Sequence, residues 1–214
     1  MTQQRAERTR RRVLRAGAAE FARRGYAATT FTHITRTAGV TMGSITFHFA
    51  SKRALADEVC AQGHRVTREA VTRSAADATC ALQAVIDITH ALVLLLGEDD
   101  LVRAASRLGD EAGDRDGWYG AWLPSLHAVT TRADREGALQ AGVDPATVTV
   151  LAVSLVAAAE TAALQAACAC AGTVAAVQLT RAWWALLGAI VSPGSDPGLS
   201  PAGPPRPGDR PGPP

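Results

Sequence analysis

The chain has 214 residues, 47% of them hydrophobic and 20% charged, which suits one or two domains with a real core and excludes a disordered chain. Its formal net charge of +2 divides unevenly: residues 1–73 carry +9 and residues 74–214 carry −7. No apolar run follows the first charges, so no secretory leader is expected, and four cysteines without CxxC or His-paired spacing read as reduced thiols of a cytoplasmic protein.

In chain order, Val13, Leu14, Ala18, Phe21 and Ala22 recur at helical spacing and predict a first helix over 6–24, stopped by Gly25 in a left-handed cap. Thr30 is placed to cap a short helix to Ala38, which Gly39 breaks. Thr41 caps another through Phe49, and Ser51 opens a longer one over 52–74. Further apolar stripes predict helices over 79–97, 99–110, 118–136, 145–170 and 173–191, with an Asp/Gly-rich loop at 110–117 and a turn at Gly142-Val143-Asp144-Pro145. Residues 192–214 hold 9 of the 11 prolines, so a disordered tail is expected, whose loss changes neither fold nor DNA binding. The fold class is all-α. The stretch 145–170 is the transmembrane candidate; Glu160, Gln165 and its alanines argue for a buried or dimer-forming helix instead.

Residues 30–52 read TFTHITRTAGVTMGSITFHFASK. They predict a helix, a tight turn at Ala38-Gly39-Val40 and a second capped helix, the geometry of a helix-turn-helix. Thr41, Ser44, Thr46 and His48 are small or polar groups on the second helix, and such side chains let a helix backbone sit close to base edges. The Arg-rich first helix and Lys52 are placed to reach phosphates on either side. An ordinary αα-hairpin has the same outline; the basic N-terminal third favours DNA.

The pattern AGVT-x-G-x-x-x-x-HF-x-SK, after a helix ending FARRGY, resembles the DNA-binding domain of TetR-type repressors over residues 8–56. The run FHFASK-x-ALA, Trp122, the turn Gly142-Val143-Asp144-Pro145 and the closing RAWWALLGAIVSPG resemble the gamma-butyrolactone-receptor branch of that family. The resemblance implies a three-helix DNA-binding domain (1–52), a helical ligand-binding and dimerisation domain (53–191) and the tail (192–214). It implies a homodimer through the helices near 145–170 and 173–191, bound to a palindromic double-stranded operator and released by a small-molecule effector. No enzymatic step, cofactor, metal or membrane is implied. The candidate DNA contacts are Thr30, Thr41, Met42, Ser44, Thr46 and His48, with Lys52 on phosphate. Such repressors commonly carry Lys where Met42 stands and Tyr where Thr46 stands, so weaker or altered operator binding is expected; Arg53, replacing an acidic residue, compensates in part.

The candidate effector contacts are Trp122, Leu126, Thr89, His90, Glu160, Thr161 and Gln165. Trp122 matches a pocket-lining tryptophan of the receptor branch, although an indole at helical spacing is also plain core. Glu160 has three readings: a pocket group for a polar or cationic ligand, a partner across the dimer, or an exposed side chain. A negative Glu160 suits a neutral lactone poorly, which keeps open a pseudo-receptor or efflux regulator answering an antibiotic or other toxic compound. A helical enzyme and a membrane-surface protein are the other classes weighed. The first lacks clustered acid–base groups, and the second leaves the helix-turn-helix unexplained.

Overall fold

The computed structural model describes residues 2–113, 117–165, 171–192 and 198–203. Ten helices follow one another along these residues: α1 (Thr2–Ala28), α2 (Phe31–Ala38), α3 (Met42–His48), α4 (Lys52–Asp77), α5 (Ala81–Glu98), α6 (Asp100–Ala112), α7 (Gly117–Gly120), α8 (Leu123–Arg135), α9 (Pro145–Gln165) and α10 (Ala171–Ile190). The all-α class read from the sequence is the observed one. Boundaries moved by a few residues. Trp122, expected inside a helix over 118–136, stands at the N-cap of α8, because the segment breaks after α7 and restarts with Pro124 in the first turn.

The predicted stop at Gly25 is a break rather than an end. Gly25 has φ 75° and ψ −178°, a conformation open to glycine alone, after which α1 resumes to Ala28. Space imposes the same choice: a Cβ on Gly25 would stand 1.9 Å from Glu111 Oε1. The Glu111 carboxylate takes the Tyr26 backbone N–H at 2.7 Å, and Arg107 donates to the carbonyls of Ala22 and Arg23 at 3.2 and 3.1 Å. The backbone groups freed by the break are thus satisfied from α6.

The chain divides into two compact units, 1–67 with 99–121, and 68–98 with 122–214. The sequence reading instead divides it by role at 52. The first unit packs α1 to α3, the start of α4 and α6 around Val13, Phe21, Ile34, Ile45, Leu55, Val59 and Ala104. In the second, α5 is enclosed by α8, α9 and α10 and buries nearly every side chain from Ala81 to Leu96. That enclosure explains why α5 is apolar beyond the single stripe that predicts it.

Three helical windows, Ala81–Glu98, Pro145–Ala162 and Gly172–Ile190, are long and apolar enough to cross a membrane by length and composition, where the sequence reading finds one. The first is 72% buried and the other two only 33%. Of the segment expected to be a disordered tail, Ser192 and residues 198–203 are described, and these are held by hydrogen bonds. Gln140 N–H meets Ile190 O at 2.7 Å and Ser192 N–H meets Ala138 O at 3.1 Å, and residues 198–203 pack on α5. Their composition prevents helix or strand, yet an extended chain can still be held by side chains. Cys60 and Cys80 are thiols; Cys168 and Cys170 lie outside the described residues.

Candidate nucleic-acid interface

The helix-turn-helix is built by two hydroxyl caps and one glycine. Thr30 Oγ1 accepts the His33 N–H and Thr41 Oγ1 accepts the Ser44 N–H, both at 3.3 Å. Between them Gly39 takes φ 62° and ψ 43° and closes α2 by donating its N–H to Thr35 O. Arg12 clamps the turn, its Nη2 donating to the carbonyls of Ala38 at 2.6 Å and Gly39 at 3.3 Å. Ile34, Ala38, Ile45 and Phe49 face the core.

The other side of α3 is bare. Thr41, Met42, Gly43 and Thr46 are exposed, and Ser44 and His48 half-buried. Of the expected contacts, Thr30, Thr41, Met42, Ser44, Thr46 and His48 all lie on α3 or at the two caps. The sequence reading omitted Phe47, which is 80% exposed and packs edge-on against His48 at 5.1 Å between ring centres. Its position was legible: Ile45 and Phe49 are core residues four apart, and the residue midway points about 200° away from each. A cleft of about 730 Å³ runs between Phe47, His48 and the first turns of α1, lined by Gln3, Glu7, Arg8, Arg10 and Arg11, with Arg11 paired to Glu7 at 2.9 Å.

Lys52 differs from expectation. Its Nζ donates to the carbonyls of Tyr26 at 2.8 Å and Thr29 at 2.9 Å and sits 4.3 Å above the Tyr26 ring. The ammonium closes the end of α1 with two of its three protons. Glu20 is the second internal hub. Its buried carboxylate receives Arg23 and Arg24 at 2.8 Å and Thr37 Oγ1 at 2.7 Å, tying α1 to α2. Burial alone would raise its pKa, but the Thr37, Arg24 and Arg23 bonds and the Arg23 charge outweigh that and hold it below the ordinary value. Part of the basic excess is therefore structural. Arg5, Arg8, Arg11 and Arg36 remain exposed.

In the second unit, Trp122, Leu126, Thr89, His90 and Glu160 are all buried, on mutually packed α5, α8 and α9. Burial removes the exposed reading of Glu160. Thr89 and His90 are occupied internally. The Thr89 hydroxyl donates to Ile86 O at 2.7 Å and accepts Trp183 Nε1–H at 2.9 Å. His90 Nδ1–H donates to Ile86 O at 3.0 Å and its Nε2 meets Thr180 Oγ1 at 3.1 Å. Burial pushes the His90 pKa down, against the Ile86 bond. Thr161 is exposed and bonds Ala157 O at 2.9 Å, away from the others. The Gln165 side chain lies outside the described residues.

The model of the family of bacterial regulatory proteins called tetR matches residues 13–59, the helix-turn-helix and the helices around it. Over 146 residues the chain is 28% identical to the A-factor receptor protein of Streptomyces griseus, covering 67% of this chain and 50% of that protein. The chain thus matches about half the length of this curated relative. A crystal structure of a gamma-butyrolactone receptor, an ArpA-like protein, superposes with a TM-score of 0.73 at 25% identity, covering 92% of this chain and 96% of that one. CprB, a TetR family protein of Streptomyces coelicolor solved in complex with its biological operator sequence, gives a TM-score of 0.70 at 26% identity, covering 87% and 90% of the two chains.

Proposed function

We propose that this chain is a DNA-binding regulator of the tetR family, related to the gamma-butyrolactone receptors, and that it works as a homodimeric repressor, released from a palindromic operator when a small diffusible molecule binds its second unit. The observation that carries the reading is α3: a short, doubly anchored helix whose outward face holds Thr41, Met42, Thr46 and Phe47 beside an arginine-lined cleft. Hydroxyls and an apolar ring in a major groove address base edges and thymine methyls, while Arg8 and Arg11 meet phosphates. The name of the solved relative, a gamma-butyrolactone receptor, favours a gamma-butyrolactone as the effector class. Trp122 and Leu126 are fully buried in the second unit, so an effector of this class would have to open the packing around them to gain an apolar wall.

The homodimer rests on α9 and α10. Val150, Val174, Val177 and Trp184 stand 48–67% exposed there, on two helices whose apolar windows are only 33% buried. An apolar surface of this kind is the usual mark of an association face.

The test is fluorescence anisotropy on the DNA upstream of the protein's own gene, with a random duplex as control and a synthetic gamma-butyrolactone as competitor. Salt-sensitive binding above the control, reversed by the lactone, is the expected result. Reversal by an antibiotic but not the lactone would replace the effector class, and equal binding to both duplexes would overturn the operator reading.

A further inference from the structure

The segment Gly198–Gly203 lies in the second unit against α5. The Gln83 side-chain amide meets the backbone of Ser200 at both ends: Oε1 accepts the Ser200 N–H at 2.7 Å and Nε2 donates to the Ser200 carbonyl at 3.1 Å. This is the double pairing that one strand residue gives another, supplied here by a side chain. The second Nε2 proton goes to Asp87 Oδ1 at 2.6 Å, which fixes the orientation of the amide. The segment then turns, the Gly203 N–H donating to the same Ser200 carbonyl at 3.1 Å, so that both lone pairs of that oxygen are used.

Glycine is required where the turn ends. Gly203 has φ 73°, and a Cβ on it would stand 2.6 Å from His90 Cγ. Pro201 and Gly203 are buried by this contact, and Gln83, Asp87 and His90 are each at most 6% exposed. Their spacing of four and three residues sets the three on one face of α5. Three buried polar groups in line on the most apolar helix of the unit are costly unless something satisfies them: the tail backbone bonds Gln83, Gln83 bonds Asp87, and His90 bonds Ile86 and Thr180.

We propose that α5 carries a peptide-recognition site built from Gln83, Asp87 and His90, and that its occupant is the chain's own segment Gly198–Gly203. The chemical class it takes is an extended peptide. Gln83 reads the N–H and C=O of one residue, and His90 admits only a glycine three residues later. Proline beside the paired residue lowers the entropy lost on docking. The tail is therefore a strap with a defined seat, and the site stays closed while the strap is down.

The test uses the full-length, 15N-labelled protein and reads the backbone 1H–15N NOE at Ala202 and Gly203, with the exchange rate of the Ser200 amide. In the wild type both NOEs are expected at the level of the helices, and Ser200 exchange slowed about tenfold or more, as two hydrogen bonds of ordinary net strength give. Ser200→Pro removes the donor from the tail side without touching the core. Gln83→Met removes the amide at similar volume, and Gly203→Val forces a clash with His90. All three are expected to drop the NOEs to those of a free chain end while the α5 amides stay protected. A wild-type Gly203 as mobile as a free end, or a rigid one in Ser200→Pro and Gln83→Met, would overturn the proposal.

Discussion

At Lys52 and Phe47, two adjoining parts of one motif take opposite roles. The Lys52 ammonium is spent on the carbonyls of Tyr26 and Thr29 and on the Tyr26 ring. Lys52→Met is therefore expected to cost about 1–3 kcal/mol of stability, since two carbonyls lose a charged donor, and to leave the salt dependence of DNA binding unchanged. A thermal melt and a salt titration check both halves; a salt slope lower by about one with an unchanged melt would return the residue to a phosphate. Phe47 is the converse. Phe47→Ala is expected to leave the melting temperature within about 1 °C, because little of the ring is buried. It should weaken operator binding about tenfold, the loss falling mainly on sites with thymine opposite the ring. The sequence shows a lysine and an aromatic in a basic motif. It does not show that the end of α1 leaves two carbonyls within reach of Lys52, because that depends on how Gly25 bends the chain.

Helices α1 and α2 are tied by Arg12 on the Ala38 carbonyl and by the buried Glu20 carboxylate, and the second tie makes their union sensitive to acid. Glu20 has a folded pKa below its ordinary value, so its contribution is complete above the ordinary value and is lost as pH falls through the folded one. The stability gap between the wild type and Glu20→Gln, read from urea midpoints, is expected to shrink as pH is lowered from about 6 to about 3. A constant gap would mean that Glu20 acts by shape alone. The helices themselves were legible wherever a hydroxyl cap and a glycine bracketed an apolar stripe, as in α2 and α3. Legibility failed at α7 and α8, where apolar residues run on through Trp122 while the backbone restarts at Pro124. It failed also in the tail, where prolines and glycines forbid a helix but say nothing of a glutamine waiting on α5. In the second unit, burial of Trp122 and Leu126 could be read from spacing, whereas the internal engagement of Thr89 and His90 could not. Their partners, Trp183 and Thr180, lie some ninety residues away.

For the molecule as a whole, the proposed dimer makes the neighbouring tryptophans Trp183 and Trp184 informative. The first is fully buried in its own unit, the second 67% exposed. Trp184→Arg is expected to keep the fold, halve the sedimenting mass and cut affinity for a palindromic operator about 100-fold, as two linked half-sites become independent. A variant that still sediments as a dimer would place the interface elsewhere. The first unit has a further consequence, for the order in which the protein is made. Its core needs Ala104 and Leu108, and the break at Gly25 needs Arg107 and Glu111, all on the far side of α5 in sequence. A growing chain has Thr67 in hand well before Leu108, and at roughly 5–20 residues per second the interval is about 2–8 s. During that time the α1 surface destined for α6 is bare, while α5, an apolar helix meant for the other unit, is already emerging. The unit proposed to read DNA is thus translated first but finished late, and a product cut short before α6 leaves the ribosome with an open core, exposed to proteases and chaperones.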